Sequence, residues 1–543
     1  MKLRNSGRLL TISSLACLAG VTGSCEKKVQ HPNILLIMAD DMGYSDLGCY
    51  GGEIATPSID LLAENGLRFT QFYNNARSCP TRAGLLTGLY PHQAGIGYMV
   101  SEDRGRGYEG NLNDNCVTIA EVLREAGYYT IMTGKWHLSR SITPDDKGTW
   151  PLQRGFDTYY GTIDGAGSFY QPHSLTYNNE QVAGVPEGYY YTDAISDSTV
   201  AFIERHGRKG KRTPFFAYVS YTAPHWPLHA PEDVIVKYQK LYEEGWDRLR
   251  EARMNRMISE GLVREDWQLS ARDVRVSRWE EIADKPGEAR KMAVYAAQVE
   301  IMDSGIGRIM DQLEKSGLKE NTIVIFLMDN GGCAETFNSG TEWIRRYGPE
   351  FTLSGDTVLY GNDAPVQPGP DNSYQSYGIA WANLSNTPFR YYKHSAYEGG
   401  IATPLIVHWP SGIKGRGRLV TTISGIIDIM PTVLGITGAH YPSVYRGASI
   451  HKPEGIDLSP VFRGKEIERE GCYFVEHGNA RSVRRGIWKL AAQGGTSIWS
   501  LYNMENDRTE TTDLSSEYPE LVKELADEYE LWAWRVHVLP RPR

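Results

Sequence analysis

Four short apolar runs, each closed by a cluster of polar residues, constrain this chain more than any other feature. Asn33 to Met38 leads into Asp40-Asp41, and Tyr128 to Thr133 leads into Gly134-Lys135-Trp136-His137. Phe215 to Ser220 leads into Tyr221-Thr222-Ala223-Pro224-His225, and Thr322 to Met328 leads into Asp329-Asn330-Gly331-Gly332. Helical patterns lie between them. The longest runs from about Glu288 to Ser316, with Met292, Val299, Met302, Ile306, Ile309 and Leu313 at helical spacing and Gly317 as a stop. Strands alternating with helices read as an α/β fold, a large and mostly parallel mixed sheet sandwiched by helices. In such a sheet the carboxyl ends of the parallel strands share one edge, and ligands bind there. The four polar clusters are therefore expected to converge.

At 543 residues the chain is longer than one core usually grows, so at least two units are expected. The main domain is placed at 31–440. From 441 the character changes: Tyr441 to Ile456 is punctuated by Gly and Pro, Cys472 to Glu476 and Gly486 to Ala491 read as antiparallel strands, and Tyr518 to Val536 as an amphipathic helix. Residues 441–543 are thus expected to form a smaller C-terminal α+β subdomain with an antiparallel sheet. Pro231 to Val263 is helical but rich in both charge signs, which predicts a surface excursion.

The first residues carry a different message. Met1 to Arg8 is basic, Leu9 to Gly23 is apolar or small, and Thr22-Gly23-Ser24-Cys25 follows, the order of an export signal too short to span a membrane. Residues 1–24 read as a lipoprotein-type signal with Cys25 lipidated; a simply cleaved secretory signal is the alternative. The chain is then expected to be exported, periplasmic or anchored at the outer membrane of a bacterium. Cys49, Cys79, Cys116, Cys333 and Cys472 are widely spaced without a repeated CxxC, which is neither a zinc framework nor a disulfide scaffold, though one pair could be bridged. The net charge of −9 lacks the basic footprint of a nucleic-acid binder. Oligomeric state is not legible.

The most specific signal is Ser78-Cys79-Pro80-Thr81-Arg82 followed by Ala83-Gly84-Leu85-Leu86-Thr87-Gly88, a proline turn opening a short helix whose positive end faces Ser78. With the four strand-end clusters, this resembles the signature of the type I sulfatases of the alkaline phosphatase superfamily. In that family the first motif residue, cysteine or serine, is oxidised to Cα-formylglycine. Counting back from Pro80 and Arg82 puts Ser78 at the modified position and Cys79 at the variable one. The resemblance is thus to the serine-type members, whose maturation implies a radical maturase of anaerobic bacteria. It runs from Pro32 through Gly399-Gly400-Ile401-Ala402-Thr403-Pro404 and into Leu501 to Asp507, and implies an alkaline phosphatase-like fold and sulfate ester hydrolysis.

Asp40, Asp41, Asp329 and Asn330 supply hard oxygen donors that suit Ca²⁺, or Mg²⁺, rather than zinc. By resemblance they form, with residue 78, a single divalent metal site. The resemblance also implies that Arg82, Lys135, His137, His225 and Lys393 hold the sulfate and the formylglycine diol. Asp329 would accept the attacking hydroxyl's proton, His225 with Lys393 would protonate the leaving oxygen, and His137 would deprotonate the remaining hydroxyl. The long stretch 334–392 stands between Asp329 and Lys393, and Trp343, Tyr374 and Trp381 within it are expected to stack on a sugar ring. The expected substrate is a terminal sugar of a sulfated glycan. Two alternatives remain open at this point. One is a phosphomonoesterase or phosphodiesterase of the same superfamily with two zinc ions; the other is a non-catalytic glycan-binding surface lipoprotein.

Overall fold

A computed structural model describes Met1 and residues 31–208, 213–495 and 498–542. The expected signal and Cys25 lie outside the described residues. Pro32–Arg543 pack as one compact unit.

An eleven-stranded mixed sheet organises it. Its strands are β1 (Asn33–Ala39), β2 (Leu67–Tyr73), β3 (Tyr129–Gly134), β4 (Thr158–Thr162), β5 (Leu175–Tyr177), β6 (Glu180–Gln181), β7 (Phe215–Ser220) and β8 (Thr322–Met328). After the separate short pair β9 (Leu359–Tyr360) and β10 (Ser373–Tyr374), the sheet is completed by β11 (Ala402–His408), β12 (Arg418–Val420) and β13 (Ser424–Gly425). The order is β12-β2-β11-β8-β1-β7-β3-β4-β5-β6, with β13 also on β2. At its centre β8, β1, β7 and β3 are parallel neighbours, with Ala39 opposite Met328 and Gly134 opposite Ser220. Every residue of β1, β7 and β8 is buried, as expected of strands covered on both faces.

The helix Lys285–Lys315 lies close to its expected bounds; Asp284 caps it by accepting from the Gly287 N–H. Pro231 to Val263 departs from expectation. Its two helices, Glu232–Tyr242 and Trp246–Ser259, bury Ile235, Tyr238, Tyr242, Trp246 and even Arg253. Arg253 is neutralised by Asp46 at 2.7 Å and Glu53 at 2.6 Å, so the segment packs inward through ion pairs that charge counting alone reads as solvated.

After a short hairpin-like pair, β14 (Val444–Tyr445) with β15 (Ala448–Ser449), an antiparallel sheet follows: β16 (Tyr473–His477), β17 (Ala480–Arg485), β18 (Trp488–Gln493) and β19 (Ser500–Asn503). The helix Pro519–Arg535 follows it. The five cysteines among the described residues are all free thiols. No described helix is long and apolar enough to cross a membrane.

Candidate active site

Strand direction explains why the polar clusters meet. Parallel β1, β3, β7 and β8 end at one edge and deliver Asp40-Asp41, Lys135 and His137, His225, and Asp329-Asn330 there. Strand β2 is antiparallel to β11, which is antiparallel to β8, so β2 also ends at that edge and leads to Ser78. Because β11 runs the other way, its beginning lies at the site, and Lys393 precedes its strand. Close backbone approach needs glycine here: a Cβ on Gly331 would lie 1.9 Å from the Gly399 carbonyl oxygen, and one on Gly165 would lie 2.4 Å from the His137 ring.

Ser78 is the first residue of the helix Ser78–Thr87 and is 2% exposed. Its Oγ accepts from Arg82 Nε at 3.0 Å and lies 3.3 Å from His137 Nδ1. Arg82, fully buried, also donates to Asp329 Oδ2 at 3.2 Å, to Tyr218 Oη at 3.3 Å and to Ser220 Oγ. Lys135 Nζ donates to Asp40 Oδ2 at 2.5 Å. Burial, followed by Lys135 and Arg82, pushes His137 well below the usual imidazole range, so its ring is neutral and a base.

The acids pack tightly. The Asp41 N–H donates to Asp329 Oδ1 at 3.1 Å, and Asn330 Nδ2 donates to Asp41 Oδ1 at 2.6 Å. Burial and Asp329 push the Asp40 carboxyl well up; burial acts the same way on Asp329, but Arg82 holds it down. Two oxygens stay without a partner: Asp40 Oδ1 and Asn330 Oδ1, both buried. A buried lone pair left unpaired costs about 1–3 kcal/mol, which a cation bound here would offset. Asp40, Asp41 and His225 bring ligand atoms within 4.8 Å of one another, the one such His/Cys/Asp/Glu cluster among the described residues.

His225 sits between that cluster and Lys393. Its Nδ1 donates to the Trp226 carbonyl at 2.7 Å, which leaves Nε2 as an acceptor 3.4 Å from Lys393 Nζ and 3.2 Å from Asp41 Oδ2. Lys393 Nζ donates to Asp41 Oδ2 at 2.8 Å. Burial pushes His225 down to about 3; it acts likewise on Lys393, but Asp41, Cys333 and Glu335 together outweigh it and raise Lys393. The shared proton therefore rests on the lysine, with Nε2 beside it.

The six residues expected to act on the sulfate and the four expected to hold a metal thus stand together. Two of the three expected sugar-stacking residues do not. Tyr374 is fully buried, stacked on Tyr360 and donating to the Tyr347 carbonyl. Trp381 is fully buried among Tyr242, Trp246 and Trp279, its Nε1 donating to the Glu288 carbonyl. Both are core: Trp381 packs where the 334–392 stretch meets the helices Trp246–Ser259 and Lys285–Lys315, and Tyr374 packs against Trp226, His229 and Phe337. Trp343 is 50% exposed and packs edge-on against Trp226, next to His225. Beside Lys393 opens a cleft of about 760 Å³, walled by residues 270–275, Arg390, His394 and Gln493. Glu335 and His394, which sequence alone did not single out, line the same cleft, and Arg77 reaches Glu335 at 2.8 Å; their one signal is adjacency to the Asp329-Asn330 cluster, Lys393 and Ser78.

Residues 32–439 match the profile of the family described as sulfatase. The chain belongs to the sulfatase family. It is 33% identical to an uncharacterized sulfatase of Schizosaccharomyces pombe over 94% of this chain and 95% of that one. It is 32% identical to an arylsulfatase of Klebsiella aerogenes, over 84% and 97%. Among solved structures, the sulfatase is similar to Ps i-CgsB in complex with k-i-k-neocarrahexaose, at 25% identity and TM-score 0.66, covering 94% of this chain and 98% of that one. This sulfatase is a sulfuric ester hydrolase.

Proposed function

We propose that this sulfatase hydrolyses a sulfate ester on a terminal sugar of a sulfated glycan, with Ser78 converted to Cα-formylglycine and one Ca²⁺ bound beside it. The observation that carries the reading is Ser78 itself, at a helix N-terminus, with Arg82 Nε and His137 Nδ1 both on its Oγ and an acid cluster behind it. A glycan is supported by the neocarrahexaose held by the similar structure, and by Trp343 exposed beside His225. Asp40, Asp41, Asp329 and Asn330 would hold the metal, which supplies Lewis acidity and a template for the sulfate oxygens. Mg²⁺ would serve the same donors. One such cluster among the described residues, Asp40, Asp41 and His225, favours one metal over the two-zinc phosphatase arrangement. A formylglycine hydrate supplies a nucleophilic oxygen, and a second hydroxyl whose ionisation lets the enzyme release sulfate and regain its aldehyde.

The chain's residues do the rest. Arg82 and Lys135, fully buried and fixed by Asp329, Ser220 and Asp40, place positive charge where the sulfate oxygens must sit, with little screening. Asp329 Oδ accepts a proton from the attacking hydroxyl. Neutral His137 Nδ1, 3.3 Å from the position 78 oxygen, accepts the proton of the remaining hydroxyl. At the other end, Lys393 and His225 Nε2 deliver a proton to the sugar oxygen as the S–O bond breaks. Each such group is worth about 2–5 kcal/mol of the roughly 20 kcal/mol required.

Export with Cys25 lipidated, attachment at the outer membrane or residence in the periplasm, and activation by a radical maturase complete the proposal. In it, residues 31–440 form the catalytic domain and 441–543 the C-terminal subdomain. The test is coexpression with such a maturase. The peptide containing residue 78 should be lighter by two hydrogens, Ser78→Ala should release no sulfate, and Cys79→Ser should be nearly silent. An inactive Cys79→Ser with an active Ser78→Ala would sink the assignment.

A further inference from the structure

One carboxylate ties together three segments that carry the chemistry. Glu335 Oε1 accepts from Arg77 Nη1 at 2.8 Å and from His394 Nε2 at 3.0 Å. Its Oε2 accepts from Trp226 Nε1 at 2.8 Å, and lies 3.6 Å from Lys393 Nζ and 3.3 Å from Cys333 Sγ. Arg77 also touches the His394 ring directly. Arg77 is the residue before Ser78, Trp226 the residue after His225, and His394 the residue after Lys393. These three come from the end of β2, the end of β7 and the approach to β11, segments with no common stretch of sequence. The Glu335 side chain is 21% exposed, at the mouth of the site rather than in its floor.

The ammonium of Lys393 is held by two carboxylates. It donates to Asp41 Oδ2 at 2.8 Å, and Glu335 Oε2 stands 3.6 Å from it, with His225 Nε2 at 3.4 Å and Cys333 Sγ at 3.8 Å. Glu335 is thus a second carboxylate beside the ammonium, on a group tied to Arg77, Trp226 and His394, and it restrains the lysine next to His225. It simultaneously fixes the indole next to that histidine. We infer that Glu335 is a positioning residue for the Lys393–His225 proton-donating pair, holding it against the leaving oxygen. The inference rests on the reading of that pair as the acid, and goes beyond it by assigning what aims the pair.

A group that aims a proton donor matters in proportion to how badly the leaving group needs a proton. A merely structural group matters equally for every substrate. The test measures kcat/KM for wild type, Glu335→Gln, Glu335→Asp, Trp226→Phe and His225→Ala, all matured and calcium-loaded. The sulfate esters should have leaving groups running from an acidic nitrophenol to a sugar hydroxyl. Glu335→Gln keeps the shape and removes the charge. It is expected to lose less than about 3-fold on the acidic phenol ester and about 30- to 100-fold on the saccharide, part of the 10²–10⁴ that a general acid supplies. Glu335→Asp should recover some of the saccharide loss, and Trp226→Phe should show the same graded pattern more weakly.

A uniform loss for Glu335→Gln across the series, with a graded loss for His225→Ala, overturns the role of Glu335 and leaves the acid pair standing. A uniform loss for His225→Ala overturns the acid reading and the inference with it. Should Glu335→Gln fail to fold, Trp226→Phe decides, a uniform loss there being the refuting result.

Discussion

Behind the Lys393 segment lies a closed knot of charge whose disruption has a calculable cost. Glu398, fully buried, accepts from Lys489 Nζ at 2.8 Å, from Arg508 Nε at 2.9 Å and from Tyr73 Oη at 3.1 Å. Lys489 Nζ also pairs with Glu510 Oε1 at 2.7 Å, and the other oxygen of Glu510 accepts the Glu398 N–H at 2.8 Å. Burial pushes Glu510 up to about 7 even with Lys489 pulling it down. Lys489→Met removes the ammonium and keeps the length. Glu398 retains Arg508 and Tyr73, whereas Glu510 is left with one backbone N–H and a like charge nearby, so it must bind a proton. Wild type, with Glu510 ionising near 7, already bears most of the cost of protonating a carboxyl that ionises near 4.5 in the unfolded chain, so the added loss comes from the broken pair and not from this proton. Breaking a buried pair typically costs about 3–5 kcal/mol, and a loss of about 4 kcal/mol is expected.

The sign of the pH dependence follows from the direction of the shift. A carboxyl whose folded pKa is raised stabilises fully below its unfolded pKa, and that contribution is lost as pH rises toward the folded value. Without Lys489 the folded value of Glu510 rises further, so the deficit of Lys489→Met should be flat below pH 7, where Glu510 is protonated in both proteins, and grow by up to about 1.4 kcal/mol per unit above it. With about 2.1 cal/mol/K of unfolding entropy per residue, 4 kcal/mol over this chain corresponds to a Tm about 4 °C lower. Thermal melts by circular dichroism from pH 5.5 to 8.5 would read it. Lys489→Met/Glu510→Gln should lose the growth above pH 7. A Lys489→Met deficit that is the same at pH 6 and 8.5, or a double variant that keeps the growth, would refute the reasoning.

Two further predictions concern the site. Trp343→Ala should raise KM for a sulfated saccharide several-fold more than for an aryl sulfate, while Trp381→Ala should cost about 3–5 kcal/mol of stability through the cavity it leaves and shift both substrates alike; steady-state kinetics with parallel melts separates the two. Elemental analysis of the matured enzyme should find one calcium per chain, and Asn330→Leu, which removes one of the two unpartnered oxygens, should weaken its retention on dialysis against a chelator at least tenfold. Two zinc ions would move the reading to the phosphatase arrangement.

What the sequence discloses divides along the range of the interaction. Asp40, Asp41, Lys135, His137, His225, Asp329 and Asn330 were legible because each sits at a strand end, and strand ends are set by local hydrophobic runs such as NILLIMA and TIVIFLM. The parallel arrangement then brings them together without further information. Tyr374 and Trp381 were misread because an aromatic ring serves a sugar and a core equally well, and only tertiary packing decides which. Arg253 was misread for the same reason: its charge says surface, and only the distant Asp46 and Glu53 make burial affordable. Glu335 carries no motif at all. Its meaning comes from Arg77, Trp226 and His394, which approach it from three parts of the chain.

The backbone shows where the fold concentrates its demands. Asp41, Ala76, His137 and His394 all adopt left-handed φ, at 62°, 57°, 53° and 74°, conformations that cost non-glycine residues about 1–3 kcal/mol each. Two are site residues, and the other two stand beside Arg77-Ser78 and Lys393. Such turns send the chain sharply away from a strand end, so that a side chain points across the sheet edge instead of along it. A loop could not hold four such turns unaided; strands β1, β2, β3 and β8, buried and paired on both sides, over-determine them. The rigidity of the sheet is therefore what fixes the sulfate end of the site. The 334–392 stretch and the mouth around Glu335 are placed instead by side-chain contacts between segments, those of Arg77, Trp226 and His394 with Glu335 among them, so a change there leaves the strand ends undisturbed.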